Sequence, residues 1–290
     1  MAEELERARK ALRELSKTLK SLSTDPPPNE VHKLRTTTRR VEAIVSVLSQ
    51  LEGKESRRLL KSIEPVRKAA GGVREMDVLI VNARKLARQS TGDSLTRLPG
   101  DSVGRLRDDS VARLVEQLQI ARQHNAVELR RAIGRRRDSA RENLKQYIRL
   151  VRAESVRAKR SASANGSAAN DGIHAAAINV HRELGEWLPL NAENIHAFRL
   201  KVKALRYILQ LSADANPRLG DALGNVQRRV GDWHDWHQLQ EIAREILNQK
   251  RDGVLLARIN QTTAQRFSQA LAAANALRGK YLNMPVAHGV

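Results

Sequence analysis

One helical segment is written twice in this chain, and both copies carry a histidine and the same cationic face. The first reads VHKLRTTTRRVEAIVSVL from Val31 and the second reads IHAFRLKVKALRYILQL from Ile195. His32 aligns with His196, Leu34 with Phe198, Arg35 with Arg199, Arg39 with Lys203 and Val41 with Leu205. At about 100° per residue, His32, Arg35 and Arg39 fall within roughly 60° of one another on a helix, and His196, Arg199, Lys203 and Arg206 within roughly 80°. The apolar sets Val31, Leu34, Val41, Val45, Leu48 and Ile195, Phe198, Val202, Leu205, Leu209 occupy a different side. A helix that buries one stripe and lines up imidazole and guanidinium on another is suited to hold anions. Two such helices point to a duplicated unit whose cationic faces line one shared site.

The charge balance fits. Lys and Arg number 52 against 32 Asp and Glu, a formal charge of +20, and the pI is near 11.0. Such a charge opposes compaction and favours a polyanionic partner: nucleic acid, an anionic membrane surface or a phosphate polymer. Aromatic residues are only 3% of the chain, whereas single-stranded nucleic-acid binders offer rings on which bases stack. Trp233 and Trp236 are the best case for a stacking site, but helix packing is the commoner use of such residues. No stretch approaches the ~20 apolar residues that span a bilayer. The segment MAEELERARKALREL reads as a charged amphipathic helix and not as a signal peptide. Zero cysteine removes disulfides, thiol catalysis and Cys-ligated metal. A soluble, cytoplasmic protein is expected.

Helical periodicity runs almost throughout, with no alternating strand, so the fold class is all-α. The pattern predicts helices over 2–22, 29–51, 54–71, 74–89, 102–122 and 124–160, then 172–187, 193–213, 217–231, 234–249 and 254–280. Asp25-Pro26-Pro27-Pro28 blocks helix continuation and Asn29 suits a cap. Gly71-Gly72, Pro99-Gly100, Pro189 and Gly253 read as further breaks. The small, polar run from Ser161 to Gly172 reads as a flexible linker between an N-terminal half, 1–160, and a C-terminal half, 173–290. Each half is long enough for its own helical core. Gln89–Asp101 reads as a mobile loop. Asp77 and Asp235, in Val73–Leu79 and Gly231–Trp236, each read as an acid in a tight turn that opens the next helix.

At these residues the chain resembles the CHAD family, the conserved histidine α-helical domain. His32, Arg35, Arg39 and Arg40 match the family's histidine helix in the first half; His196, Arg199, Lys203 and Arg206 match it in the second. Arg74, Glu75 and Asp77 resemble its arginine–acid–x–aspartate turn, and Gly231, His234 and Asp235 its glycine followed by a His/Asn-Asp pair. The resemblance implies two four-helix bundles related by a pseudo-twofold, with basic faces forming a central groove or cavity. It implies a binding module for inorganic polyphosphate, associated with polyphosphate granules, with Lys33 beside His32 in the binding set. Two departures stand out. Glu42 takes the place that Arg206 has in the second copy, where it repels phosphate and can pair with Arg39 or Arg35. The ExExK signature of the hydrolase domain often fused to the family is absent.

Other readings compete for single residues. His32 and His196 suit phosphate contact, because imidazole donates one hydrogen bond when neutral and two with a charge when protonated. A structural role stays open, and phosphotransfer fits less well because no glycine follows His32-Lys33. Cationic neighbours disfavour imidazolium in the free protein. Polyphosphate affinity should therefore rise as pH falls between about 6 and 7. His234, Asp235 and His237 could ligate metal but suit packing or capping better. Arg130, Arg137, Arg141, Lys145 and Arg152 share roughly 80° of one helix face, either as a solvated face or as part of the anion site. No nucleotide loop, hydrolase triad or carboxylate-rich metal site is present, so a non-enzymatic module without cofactor is expected. Weaker nucleic-acid binding through the same basic surface is the alternative, a scaffold docking an acidic protein or a granule coat is a third reading, and protein partners stay unknown.

Overall fold

The computed structural model describes residues 2–48, 53–92, 102–164, 171–211 and 216–282. These form eight α-helices: α1 (Ala2–Ser21), α2 (Pro28–Leu48), α3 (Gly53–Gly92), α4 (Ser102–Ala164), α5 (Asp171–Gly185), α6 (Ile195–Leu209), α7 (Pro217–Ile246) and α8 (Gln249–Leu277). A π-helical turn, Arg278–Leu282, ends the series, and no strand occurs among the described residues. No described helix is long and apolar enough to cross a membrane.

Each helix forms because one stripe is apolar and is buried. In α1, Leu5, Ala8, Leu12, Leu15 and Leu19 recur at helical spacing and are at most 1% exposed. Thr38 sits in the apolar stripe of α2, and its hydroxyl is satisfied by donating to the Leu34 carbonyl, 2.7 Å away. Starts are chemically marked. The Asn216 side chain accepts from Arg218 N and Leu219 N ahead of α7, and Asn248 does the same for Lys250 N and Arg251 N ahead of α8.

Three expected breaks do not occur. α3 runs straight through Gly71-Gly72, α4 continues past residue 123 for 63 residues in all, and α7 passes through Gly231. A helical glycine is weaker than alanine by only about 1 kcal/mol, and here tertiary contact uses the missing side chain. A Cβ at Gly72 would lie 3.2 Å from Asn125 Cγ, and Asn125 Nδ2 donates to the Gly72 carbonyl at 3.2 Å. Asp77 and Asp235 are therefore mid-helix residues and open no helix. The break assigned to Gly253 lies instead at Leu247-Asn248, with Gly253 inside the first turns of α8. The proline run does separate α1 from α2, and Val31 N donates to the Pro27 carbonyl. Of the expected loop 89–101, α3 takes residues up to Gly92 and 93–101 lie outside the described residues. Of the expected linker, 161–164 end α4, 171–172 open α5 and 165–170 lie outside them.

Three apolar clusters hold the helices. The first joins α1, α2, the early part of α3 and the late part of α4, and Ile208 and Leu211 reach it from the α6 end. The third joins α5, α6, the early part of α7 and the late part of α8. Between them, Met76, Leu79 and Leu86 of α3 and Leu114 and Leu118 of α4 pack with Trp236, Leu239 and Ile259 of α7 and α8. That middle cluster sets α3 beside α7 and brings α2 against α6.

Asp252 ties α8 to α4 across the middle cluster. Its fully buried carboxylate accepts from Ser110 Oγ at 2.5 Å, from an Arg113 guanidinium nitrogen at 2.5 Å and from Asn248 N at 2.9 Å. Removing it takes away an acceptor shared by Ser110, the partly exposed Arg113 and the Asn248 backbone. Asp252→Ala should lower unfolding free energy by about 1–3 kcal/mol in chemical denaturation. Asp138→Ala, at a 94% exposed side chain, should change it by less than about 0.5 kcal/mol.

Candidate functional site

The apolar stripes of α2 and α6 face separate clusters, Val31, Leu34, Val41 and Val45 in the first and Ile195, Phe198, Val202 and Leu205 in the third. Their polar faces share one electrostatic neighbourhood. Arg35 of α2 lies in the field of Arg39 and of Arg199 from α6, and Lys203 lies in the field of Arg39, Arg199 and Arg35. α3 contributes Arg74, which acts on His32, and Glu75, which acts on Arg35. α7 contributes His234 and Asp235; the His234 ring is 4.3 Å from that of His196.

Backbone approach and one glutamine fix the cations. Arg199 Nε donates to the Gln227 carbonyl at 3.1 Å, and Arg206 donates to Gln227 Oε1 at 3.0 Å. A Cβ at Gly231 would come within 2.9 Å of an Arg199 guanidinium nitrogen, and one at Gly224 within 3.7 Å of the Arg206 guanidinium. Gly71 lies similarly under Arg35, where a Cβ would be 3.8 Å from Nε. Gly71 and Gly231, which read as helix breaks, thus lie under arginines seated against helix backbones, as does Gly224.

The neighbourhood is crowded with positive charge. Lys203 is buried, 9% exposed, and its ammonium lies 5.7 Å from the Tyr207 ring centroid. Burial first, then Arg39, Arg199 and Arg35, pushes its pKa down to about 7, with Glu42 opposing. Burial and the Arg39 and Arg199 charges likewise bring Arg35 down to about 10. Burial, then Arg74 and Arg35, holds His32 below its usual value; burial, then Arg199 and Arg39, does the same for His196. His234 is pushed to about 4 by burial and by His196. Asp235 is raised to about 6 by burial, against the pull of Arg199. Arg35 Nε and His196 Nδ1 are buried without a protein hydrogen-bond partner. Chemically, this arrangement offers forked guanidinium donors, an amine and imidazoles to a ligand rich in anionic oxygens.

Of the residues singled out in the sequence, His32, Arg35, Arg39, Arg74, His196, Arg199, Lys203 and Arg206 are gathered here. The others are placed differently. Lys33 points to an exposed surface. Arg40 pairs with Glu14 of α1 at 3.4 Å, although its charge still acts on Tyr207. Glu42 pairs with Arg67 of α3 and not with Arg39 or Arg35, because α3 presents a guanidinium directly to it. Arg137 donates to the Lys20 carbonyl of α1, while Arg141 and Lys145 sit 3.8 Å from Asp138 and Glu142 on α4 itself. Asp77 is held by Arg122 at 2.6 Å, so Glu75, not Asp77, is the α3 carboxylate acting on Arg35. Trp233 and Trp236 are each 4% exposed and pack in the third and middle clusters, which settles their role as packing residues. Periodicity alone missed Gln227, Tyr207, Gly224 and Arg67. Gln227 stands one turn before Gly231 on the same helix, which was a usable signal.

A methyl group at residue 231 would come within 2.9 Å of a terminal nitrogen of the Arg199 guanidinium and displace that end from its present seat. Gly231→Ala should lower anion affinity at least tenfold in calorimetric titration with inorganic polyphosphate while helical circular dichroism stays unchanged. Affinity within about twofold of wild type would remove Arg199 from the site; a tenfold loss corresponds to roughly 1.4 kcal/mol.

The model of the CHAD domain family matches residues 6–244. The crystal structure of the CHAD domain from the plant Ricinus communis is similar to this fold, with a TM-score of 0.58 at 15% sequence identity, covering 96% of this chain and 89% of that one. No curated protein matches the chain. An all-helical fold in which paired histidine–arginine helices meet, together with a family match over most of its length, places this chain in the CHAD domain family.

Proposed function

We propose that the protein is a non-enzymatic binding module for inorganic polyphosphate, acting in the cytoplasm at polyphosphate granules. The observation that carries this reading is Lys203: a buried amine beside Arg35, Arg39 and Arg199, with Glu42 its only opposing charge among those named. Left alone, that arrangement opposes folding. A chain carrying about one negative charge per phosphate relieves it at every unit, with arginine forks on successive oxygens.

The same geometry disfavours nucleic acid at this site. Most of the cluster's cations are half-buried or buried, so a slender flexible chain reaches them more readily than a duplex of much larger diameter. The two tryptophans that could stack on unpaired bases are in apolar clusters. Long polyphosphate should therefore bind more tightly than duplex DNA or RNA at matched phosphate concentration and about 0.15 M salt. Charge reversal at Arg35, Arg39, Arg199 and Lys203 together should abolish that preference. Equal or tighter nucleic-acid binding to this cluster would overturn the reading.

The lowered pKa values fix the direction of pH dependence. Lys203 titrates near 7 in the free protein, and bound phosphate raises that value, so binding takes up a proton above pH 7. Affinity should fall by up to about tenfold per pH unit as pH rises above 7. Lys203→Met should flatten that limb. His32 and His196, both held below the usual histidine value, act on the acid side, where a His32→Gln, His196→Gln variant should flatten the remaining rise. The window expected from histidines alone, about pH 6–7, is thus extended upward by the lysine.

Stability gives an independent readout. The unfolded chain binds a proton at Lys203 up to about pH 10.4, its ordinary value, whereas the folded protein releases it near 7. Between these limits the unfolded state holds more protons, so ligand-free stability rises with pH. Lys203→Met should raise the Tm of the free protein at pH 7 while weakening polyphosphate binding. A lowered Tm would show that the amine is stabilising and would contradict the reading.

A further inference from the structure

The long arginine-rich stretch of α4 takes no part in the cluster of α2 and α6. Its apolar stripe, Leu129, Ile133, Ala140, Leu144, Tyr147 and Val151, is buried in the first core. On the opposite side, Arg135, Lys145, Arg149 and Arg152 are all exposed and lie within roughly 100° of one another. At 1.5 Å per residue the row is about 26 Å long. Arg135, Arg149 and Arg152 form no ion pair among the described residues, and Lys145 has only the loose 3.8 Å contact to Glu142. α1 borders the row: Ser16 joins Arg141, Lys145 and Arg149, with the carboxylates of Asp138 and Glu142 among them, in lining a recess between the two helices. Lys17 and Lys20 of α1 are exposed beside Ser16, and the Lys20 carbonyl is held by Arg137.

We propose that this outer face of α4, flanked by α1, is a second polyanion site that binds the backbone of duplex DNA without reading its sequence. The chemistry separates it from the α2–α6 cluster. Exposed cations along one helix face meet a rigid duplex backbone with little desolvation, whereas the half-buried cations of the cluster do not. A single strand gains nothing extra here, because Tyr147, the sole Phe, Tyr or Trp of α4, is buried. A membrane surface is a poorer fit, because an interfacial helix needs an apolar face for the bilayer, and that of α4 is already packed in the core. Affinity from such a row comes from counterion release and is steeply salt-dependent.

The test uses anisotropy with a duplex of about 20 base pairs at roughly 0.05–0.2 M salt, where counterion release is readable. Three proteins are compared: wild type, a row variant (Arg135→Gln, Lys145→Gln, Arg149→Gln, Arg152→Gln) and a cluster variant (Arg35→Gln, Arg39→Gln, Arg199→Gln, Lys203→Gln). Circular dichroism confirms folding, which the exposed row residues do not support. The row variant should lose at least tenfold in duplex affinity and lower the slope of log K against log salt by about 3–4. It should keep long-polyphosphate affinity within twofold, and the cluster variant should keep duplex affinity within twofold. Unchanged duplex affinity in the row variant, absent duplex binding by wild type at the lowest salt, or equal affinity for a single strand of matched phosphate number would overturn the proposal. Duplex binding through the row in a protein that ignores polyphosphate would refute the function proposed for the cluster and leave this one standing.

Discussion

Repulsion among cations held together by the packing of their own helices governs this structure. The apolar stripes of α2 and α6 are committed to different clusters, so neither helix can rotate its charged face away without exposing Leu34, Val41, Phe198 or Val202. Burial of the stripes therefore fixes Arg35, Arg39, Arg199 and Lys203 in mutual proximity. Each pKa unit lost by Lys203 is about 1.4 kcal/mol of preference for the neutral amine. Strain of this kind concentrates where a protein acts, and a bound anion would relieve it without loss of the Lys203 proton.

The elements around the cluster make that arrangement rigid. α3 and α7 run past it without a break and are joined to each other through the middle apolar cluster. Gly231 lets Arg199 approach the helix backbone closely, while Arg206 and Arg35 rest at ordinary contact distance over Gly224 and Gly71. Gln227 then holds Arg199 and Arg206 with its main-chain and side-chain oxygens. Arginines seated in this way lose little rotamer freedom on meeting a ligand.

The histidine helices and their cationic faces were legible in the sequence because period and charge are local properties, and residues 32, 35, 39, 196, 199, 203 and 206 do meet. What failed was the reading of glycine. Gly71-Gly72 and Gly231 look like stops because their helical propensity is low, but contacts with Asn125, Arg35 and Arg199 override so small a local term. The reading of Asp77 and Asp235 as matching turn acids failed for a related reason. Arg122, far away in sequence, captures Asp77, so Glu75 is the α3 carboxylate that acts on Arg35, beside Asp235 of α7. Nothing local could reveal that Lys203, one cation among many, is the one deprived of water, since burial is set by helices distant in sequence.

The central claim is that Lys203 is held near neutrality by burial and by its guanidinium neighbours until an anion arrives. Its ε-amino titration, followed by nuclear magnetic resonance in the free protein and with saturating long-chain polyphosphate, tests that directly. The account predicts a midpoint at about 7 in the free protein and one raised by roughly two units or more when phosphate is bound. A free-protein midpoint near the ordinary lysine value of about 10.4, or one that polyphosphate leaves unmoved, would contradict it.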